Sequence, residues 1–275
     1  MSLSVIVATY EQPRWLDLCL RGFARQHGPR FEVVVADDGS GEETRRRIAR
    51  VAAETGLRVR HVRHDDHGFR KCEILNEAIA AAEGDYLVFT DGDCIPRRDF
   101  VAAHRSLCEP GRFLSGGYAK LPADVSAAIA PEDVAAGRAT DYLWLRKRGV
   151  PSTRALRRLA IPSEVAPLFD ALTPTRASFN GHNASAWKAD LVRVNGFNED
   201  MGYGGLDREL GERLENAGVR GKQIRHRAHV VHLDHPRGYR DEAVLRRNRA
   251  IRDDVAATGR IRADRGLDRH MSAAP

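Results

Sequence analysis

The sequence predicts an α/β fold with a mostly parallel central sheet flanked by helices. Three observations carry that prediction. Short β-branched runs alternate with amphipathic stretches at helical spacing through residue 110, the order that makes parallel strands joined by crossover helices. The runs read as buried strands. They end in polar residues, "TY", "DDGS" and "DGD", on the side where such sheets bind ligands.

Each element follows in order. "LSVIVATY" is a strand, and Pro13 then permits a helix to start, with "RWLDLCLRGFARQ" repeating apolar residues at helical spacing. "FEVVVADDGS" is a second strand. "EETRRRIARVAAETG" is an amphipathic helix stopped by Gly56, with Ser40 and Glu43 at capping-box spacing. "LRVRHVRH" is a weaker third strand, "KCEILNEAIAAAEG" a helix with Gly84 past its end, and "DYLVFTDGD" a fourth strand. Beyond 110 the pattern loosens. "FLSGGYAKL" reads as one strand with a glycine pair, and residues 122–178 hold many prolines and arginines but no clean strand. "FNGHNASAWKADLVRVNGF" reads as a turn and a helix, "GLDRELGERLENAG" as a capped helix, and "KQIRHRAHVVHLDHP" as ending in a strand. No repeat or linker interrupts this order. The expectation is a single domain over 1–245, in two functional halves (1–110 and 111–245), then an Arg-rich helical tail over 246–275.

Of the 275 residues, 42% are hydrophobic and 30% charged, which fits a soluble globular chain. Apolar runs such as "VIVA" and "YLVF" are too short to cross a bilayer, and no leader pattern opens the chain, so a cytoplasmic location is expected. Cys19, Cys72, Cys94 and Cys108 have no paired spacing and read as reduced thiols. The net charge of +6 favours an anionic partner. Nucleic acid is not expected: aromatic residues are only 7%, and strand-end acids repel phosphate unless a cation intervenes. Residues 142–160 mix Trp144 and leucines with arginines. A solvated helix is the plain reading; peripheral contact with an anionic membrane is the sharper one, weakened by Pro151.

Asp91 and Asp93, two apart on an extended segment, project to one side. Paired carboxylates suit Mg2+ or Mn2+, which take oxygen ligands, but Asp and Gly also favour plain turns. Asp37 and Asp38 repeat the theme, and a carboxylate there can accept a hydrogen bond from a nucleobase imide. Asp207 opens a helix, so a helix-terminus acid and a reaction base are both open readings. The glycines of "GYGG" argue for close backbone approach to a ligand, and Tyr203 suits a sugar face. His229 and His232, three apart in a strand, point to opposite faces, and nothing in the spacing makes His232 and His235 converge.

"VIVATYEQPRWL", "VVVADDGSGEET", "GFRKCEILNEAIAAAEGDYLVFTDGDCIP", "FNGHNASAWKADLVRVNGFNED" and "GYGGLDRELGERL" occur in that order. Together they resemble glycosyltransferase family 2 enzymes, which have the GT-A fold. The later segments are similar to the galactosyltransferase-type half of bacterial chondroitin polymerases and animal β-1,4-galactosyltransferases. The resemblance covers residues 3–235. It implies an inverting, divalent-metal-dependent enzyme that moves a hexose or N-acetylhexosamine from a UDP-sugar to a glycan or lipid-linked glycan, in bacterial surface polysaccharide or glycoconjugate synthesis. It implies that Thr9, Tyr10, Glu11 and Asp38 hold the nucleoside, with Asp38 reading uracil, and that Arg70 or Lys71 lies beside the base or diphosphate. Asp91 would contact the ribose, or the metal through water, and Gly92 would help bind the nucleotide sugar. Asp93 would ligate Mn2+ or Mg2+, with His232 or His235 as a further ligand. Asp207 would be the general base, and Tyr203, Gly204 and Gly205 would face the acceptor. Leu206 stands where the family commonly has a carboxylate for acceptor hydroxyls. Acceptor choice is therefore not inherited, and a catalytically impaired sugar-binding protein is the alternative reading. A sugar-nucleotide pyrophosphorylase would need a glycine-rich basic loop after the first strand, and "ATYEQPRW" has none.

Overall fold

The computed structural model describes residues 1–28, 30–235 and 241–271. The first half alternates as expected: β1 (Leu3–Thr9), α1 (Pro13–Ala24), β2 (Glu32–Asp37), α2 (Glu42–Thr55), β3 (Val59–Arg63), α3 (Lys71–Ala81) and β4 (Tyr86–Asp91). β1 pairs in parallel with β2 and with β4, and β2 with β3. Thr9 lies opposite Asp37, and Ala8 opposite Asp91, so three strands end level. Alternate strand residues feed two cores. Val5, Val7, Val33 and Val35 pack with Leu16 and Phe23 of α1 and Ile48 of α2. Ile6, Val34 and Phe89 pack with Ile74 and Ile79 of α3 on the other face. Cover on both faces is why these strands carry so few polar residues.

The chain continues with β5 (Cys94–Pro96), α4 (Phe100–Leu107), β6 (Arg112–Ser115), β7 (Gly117–Lys120), α5 (Ala123–Ala128), α6 (Pro131–Ala135), α7 (Tyr142–Lys147), α8 (Arg154–Arg157), α9 (Ala166–Leu172), β8 (Ala184–Trp187), α10 (Lys188–Arg193), α11 (Leu206–Asn216), β9 (Arg220–Gln223), β10 (His229–His232) and α12 (Glu242–Thr258). The main sheet has the order β3-β2-β1-β4-β8-β6-β9, and a small second sheet the order β5-β10-β7. β8 runs antiparallel to both its neighbours; the other pairings in the main sheet are parallel.

Several expectations change here. "FLSGGYAKL" is not one strand but two, β6 and β7, in different sheets. Gly116 is the pivot, since a Cβ there would sit 2.1–2.4 Å from the Asn183 side chain. "ASAW" is the strand β8 rather than part of a turn and helix. No capping box forms on α2: its cap residue is Gly41, and the Ser40 hydroxyl instead accepts the Glu11 amide hydrogen at 2.9 Å. The expected boundary lies between 245 and 246. α12 runs unbroken across that boundary, and Val255 and Leu267 are buried, Leu267 in the same core as Ile6; residues 272–275 lie outside the described residues. In 142–160 the apolar residues turn inward. Leu145, Val150 and Leu156 are buried under the small sheet, and the Arg148 guanidinium covers the Trp144 ring at 3.7 Å, with Leu143 left exposed. The segment thus lacks the broad apolar face of an interfacial helix. No helix among the described residues is long and apolar enough to cross a membrane.

Candidate active site

A cavity of about 1100 Å³ opens beyond the level strand ends. The first half contributes Thr9, Tyr10 and Glu11 after β1, Asp38 after β2, Lys71 at the start of α3, and the Asp91–Gly92–Asp93 turn after β4. The second half contributes Tyr118, His182, Tyr203, Asp207, His232 and His235, with one face of α12. Sequence-remote polar groups meet here because the strands that carry them end at one level.

On the β2 side, Asp38 accepts from His64 Nε2 at 2.7 Å and from the Arg70 amide at 3.1 Å. Burial pushes its carboxyl above the usual range, against the pull of those two donors. A carboxylate offers about four lone-pair sites, so capacity for a further donor remains. The two expected cations are placed differently. Arg70 turns its guanidinium to Glu73 at 3.1 Å and to the Asp65 carbonyl at 2.5 Å, whereas Lys71 lines the cavity. Lys71 Nζ lies 2.6 Å from Asp91 Oδ1. Burial opposes the charge on Asp91, but the ammonium's field and hydrogen bond outweigh it and hold that carboxyl below its usual value. Glu11 uses its carboxylate on the Gly41 amide at 2.6 Å, in a backbone conformation with φ of 48°. It ties two strand-end turns together. Gly39 needs no side chain, since at φ of 100° a Cβ would meet Asp66 backbone atoms at 2.6–2.7 Å.

Asp91 and Asp93 do not share one extended segment: β4 ends at Asp91 and a turn carries Asp93. They reach the cavity with different partners. Asp93 Oδ2 lies 2.8 Å from His235 Nε2 and 3.6 Å from His232 Nε2. The two imidazoles do converge, stacked at 12° with centroids 6.1 Å apart. The chain leaves the strand after His232, so strand alternation no longer separates the rings. His232 Nδ1 bonds the Leu233 carbonyl at 2.8 Å, which assigns the proton to Nδ1 and leaves the Nε2 lone pair facing Asp93. Cys94 also neighbours Asp93. Burial, then the charges of Asp93 and Asp91, hold its thiol well above the ordinary value, and its Sγ lies within 4.8 Å of ligand atoms of Asp93 and His232. A carboxylate with imidazole nitrogen makes a mixed donor set that suits a divalent cation. His229 does not join them. It is buried in the core beside Arg225, and burial pushes it down to about 3.

Asp207 lies in the first turn of α11. Its Oδ2 accepts the Gly181 amide at 3.0 Å and its Oδ1 the Arg208 amide at 2.9 Å, so the carboxylate is held still while facing the cavity. α11 itself is anchored by Arg213 and Glu209, both fully buried and paired at 2.7 Å. Leu206 is buried in the core under the site. Tyr203 packs edge-on against Phe69 at 6.0 Å. Gly204 and Gly205, which follow it, line the cavity, and Gly204 has a packing reason as well. Gly204 has φ of 105°, and a Cβ there would meet Leu245 of α12 at 2.3 Å.

One residue escaped the sequence reading. His182 lines the cavity with its ring 4.4 Å from Tyr118 and 6.4 Å from His232. Its Nε2 is buried without a hydrogen-bond partner among the described residues, and burial lowers its pKa. Its signal was the "GHN" turn next to a strand that the composition hid. An orphaned imidazole nitrogen beside two carboxylates marks a place for a further polar group.

Residues 4–106 match the family described as Glycosyl transferase family 2, and residues 171–236 the one described as N-terminal domain of galactosyltransferase. The chain is 31% identical over 234 residues to a validoxylamine A glucosyltransferase of Streptomyces hygroscopicus subsp. limoneus, an alignment covering 79% of this chain and 48% of that protein. It thus spans about half the length of that relative. Among solved structures it is similar to S. aureus TarS in complex with UDP-GlcNAc, with a TM-score of 0.62 and 16% identity over 98% of this chain and 69% of that one. It is also similar to the mannosyltransferase PcManGT from Pyrobaculum calidifontis in complex with GDP-Man and Mn2+, with a TM-score of 0.58 and 23% identity over 86% and 58% of the two chains.

Proposed function

The chain belongs to glycosyltransferase family 2 and has the GT-A fold, and from that premise we propose that it is an inverting, divalent-metal-dependent transferase that moves a sugar from UDP to a hydroxyl of a glycan or glycoconjugate. One observation carries the reading: Asp93 with its histidines, and Asp207 from the other half of the chain, face one cavity.

In this reading Asp38 accepts the imide hydrogen of uracil, and Thr9 and Tyr10 flank the nucleoside. Asp93 and His232, whose ligand atoms lie within 4.8 Å of each other, with His235 beside Asp93 at 2.8 Å, are the residues that would hold Mn2+, and a carboxylate with imidazole nitrogen fits it. When bound, such a cation supplies Lewis-acid stabilisation of the charge that develops on a departing diphosphate. Lys71 adds a fixed positive charge at the same end and keeps Asp91 ionised. Asp207 takes the proton of the acceptor hydroxyl as its oxygen bonds to the anomeric carbon. The bond from that carbon to the diphosphate breaks on the opposite face, so a single displacement inverts the configuration. The tether to the Gly181 amide keeps Asp207 oriented for that transfer. The mannosyltransferase solved with Mn2+ and the TarS structure with UDP-GlcNAc are consistent with this choice of ion and nucleotide. The sugar itself is left open by a glucosyltransferase relative and an N-acetylglucosamine-binding neighbour.

The test is a thermal-shift screen of UDP-sugars with and without Mn2+, since ligand bound to the native state raises Tm. A Mn2+-dependent shift with one UDP-sugar is expected. Asp207→Asn should keep that shift while transfer falls about 10²- to 10⁴-fold, the usual weight of a general base. Transfer at the wild-type rate by Asp207→Asn would remove the base from the mechanism.

A further inference from the structure

On the footing of the transferase reading, we infer that Arg208, Arg246 and Arg249 form an acceptor subsite for an oxyanion, so that the natural acceptor carries a phosphate or carboxylate group near the hydroxyl that is glycosylated. α12 turns one face to the cavity, carrying Glu242 in its first turn and then Leu245, Arg246, Arg249 and Arg252 at helical spacing. Arg252 is paired with Glu212 at 2.5 Å. Arg246, Arg249 and Arg208 have no side-chain hydrogen bond or ion pair among the described residues, yet all three line the cavity. Structural arginines elsewhere in the chain are mostly paired, as Arg21, Arg47, Arg97, Arg213 and Arg227 are.

Their position assigns them to the acceptor end. Asn248 on the same helix donates to the carbonyls of Gly202, Tyr203 and Gly204, at 3.0, 3.1 and 2.8 Å. Leu245 packs on Gly204 and Arg252 on Gly205. Arg249 sits between those two contacts on one helical face. The turn it borders leads directly into α11, and Arg208 follows Asp207 on that helix. The diphosphate end already has Lys71 for its negative charge. Guanidinium forks match phosphate and carboxylate oxygens in pairs, and three of them lining the cavity on the acceptor side would orient an anionic acceptor and reject a neutral one.

The experiment uses the full chain saturated with UDP and Mn2+, at low ionic strength so that exposed charges are not screened. Glucose 6-phosphate, glucuronate and glucose are titrated by calorimetry into wild type and into the Arg246→Ala/Arg249→Ala double variant, whose exposed, unpaired side chains are not needed for folding. The two anionic probes are expected to bind wild type at least about tenfold more tightly than glucose, the weight of one charge-assisted hydrogen bond. That preference should collapse in the double variant while its affinity for UDP with Mn2+ is unchanged. Equal binding of the three probes to wild type, or a preference that survives in the double variant, overturns the subsite. Loss of UDP affinity in the double variant also overturns it, by moving the arginines to the donor. Failure of wild type to bind UDP and Mn2+ at all overturns the transferase reading and the subsite together.

Discussion

Lys71 and Asp91 lie 2.6 Å apart, each about a quarter exposed, at the end of the strand that delivers the acidic turn. Removing the cation takes away the field and hydrogen bond that hold the Asp91 carboxyl below its usual value. Lys71→Met is therefore expected to cost about 1–3 kcal/mol of stability, below the range for a fully buried pair, and to weaken UDP binding about tenfold. Urea unfolding and UDP titration in Mn2+ read the two effects separately. The acids were legible in the sequence because they follow an apolar strand, where buried charge needs a reason. The choice of Lys71 over Arg70 was not, since both stand next to the helix start and only the helix phase decides which points inward. His232 and His235 were legible only as candidates. Strand alternation argued against their meeting, and the departure of the chain from β10 after His232 is a tertiary fact.

α11 and α12 set the acceptor side of the cavity, and each hangs on a buried polar group. Arg213 is fully buried, with Glu209 and the carbonyls of Val194 and Gly196 as its partners. Glu209→Ala strands that guanidinium without a counter-charge, and a loss of about 3–5 kcal/mol is expected from denaturant unfolding. Asn248 collects three carbonyls of the glycine turn on one amide group. Asn248→Ala should cost about 1–3 kcal/mol and raise the acceptor KM more than it lowers kcat, because it loosens α12 and leaves Asp207 tethered. An unchanged KM would mean that α12 does not shape the acceptor site. The first-half elements were readable from periodicity because they are long and covered on both faces. β8 was not: "ASAW" has no β-branched residue, and it is a strand because β4 and β6 flank it. β6 and β7 were read as one because the division at Gly116 depends on Asn183, 67 positions along the chain.

Taken whole, the molecule buries several histidines that stay neutral in its interior. His104 is buried between Ser185 and Asn183, at 2.7 and 3.0 Å, and burial pushes it down to about 4; His229 is pushed to about 3. Both therefore take up protons on unfolding below the ordinary histidine value near 6.5. Their contribution is fully present above that pH and is lost as pH falls toward 4, with up to about two protons bound on unfolding. The unfolding free energy should drop steadily from pH 7 to pH 5, and His104→Gln, which can keep a hydrogen bond to Ser185 or Asn183, should show a shallower fall. A slope unchanged in that variant would remove His104 as a source. The fold class and the strand-end site were readable at this scale because an alternating α/β chain leaves one place for its polar strand ends to meet. The arginine face of α12 was not, because a charged helix looks alike whether it faces solvent or a cavity. The most direct test of the site is anomalous scattering from crystals soaked with UDP and Mn2+. A manganese peak within bonding distance of Asp93 and of His232 or His235, with the diphosphate beside it and Asp207 across the cavity, is the expected result; manganese bound elsewhere, or UDP bound away from Asp38 and Asp93, would contradict it.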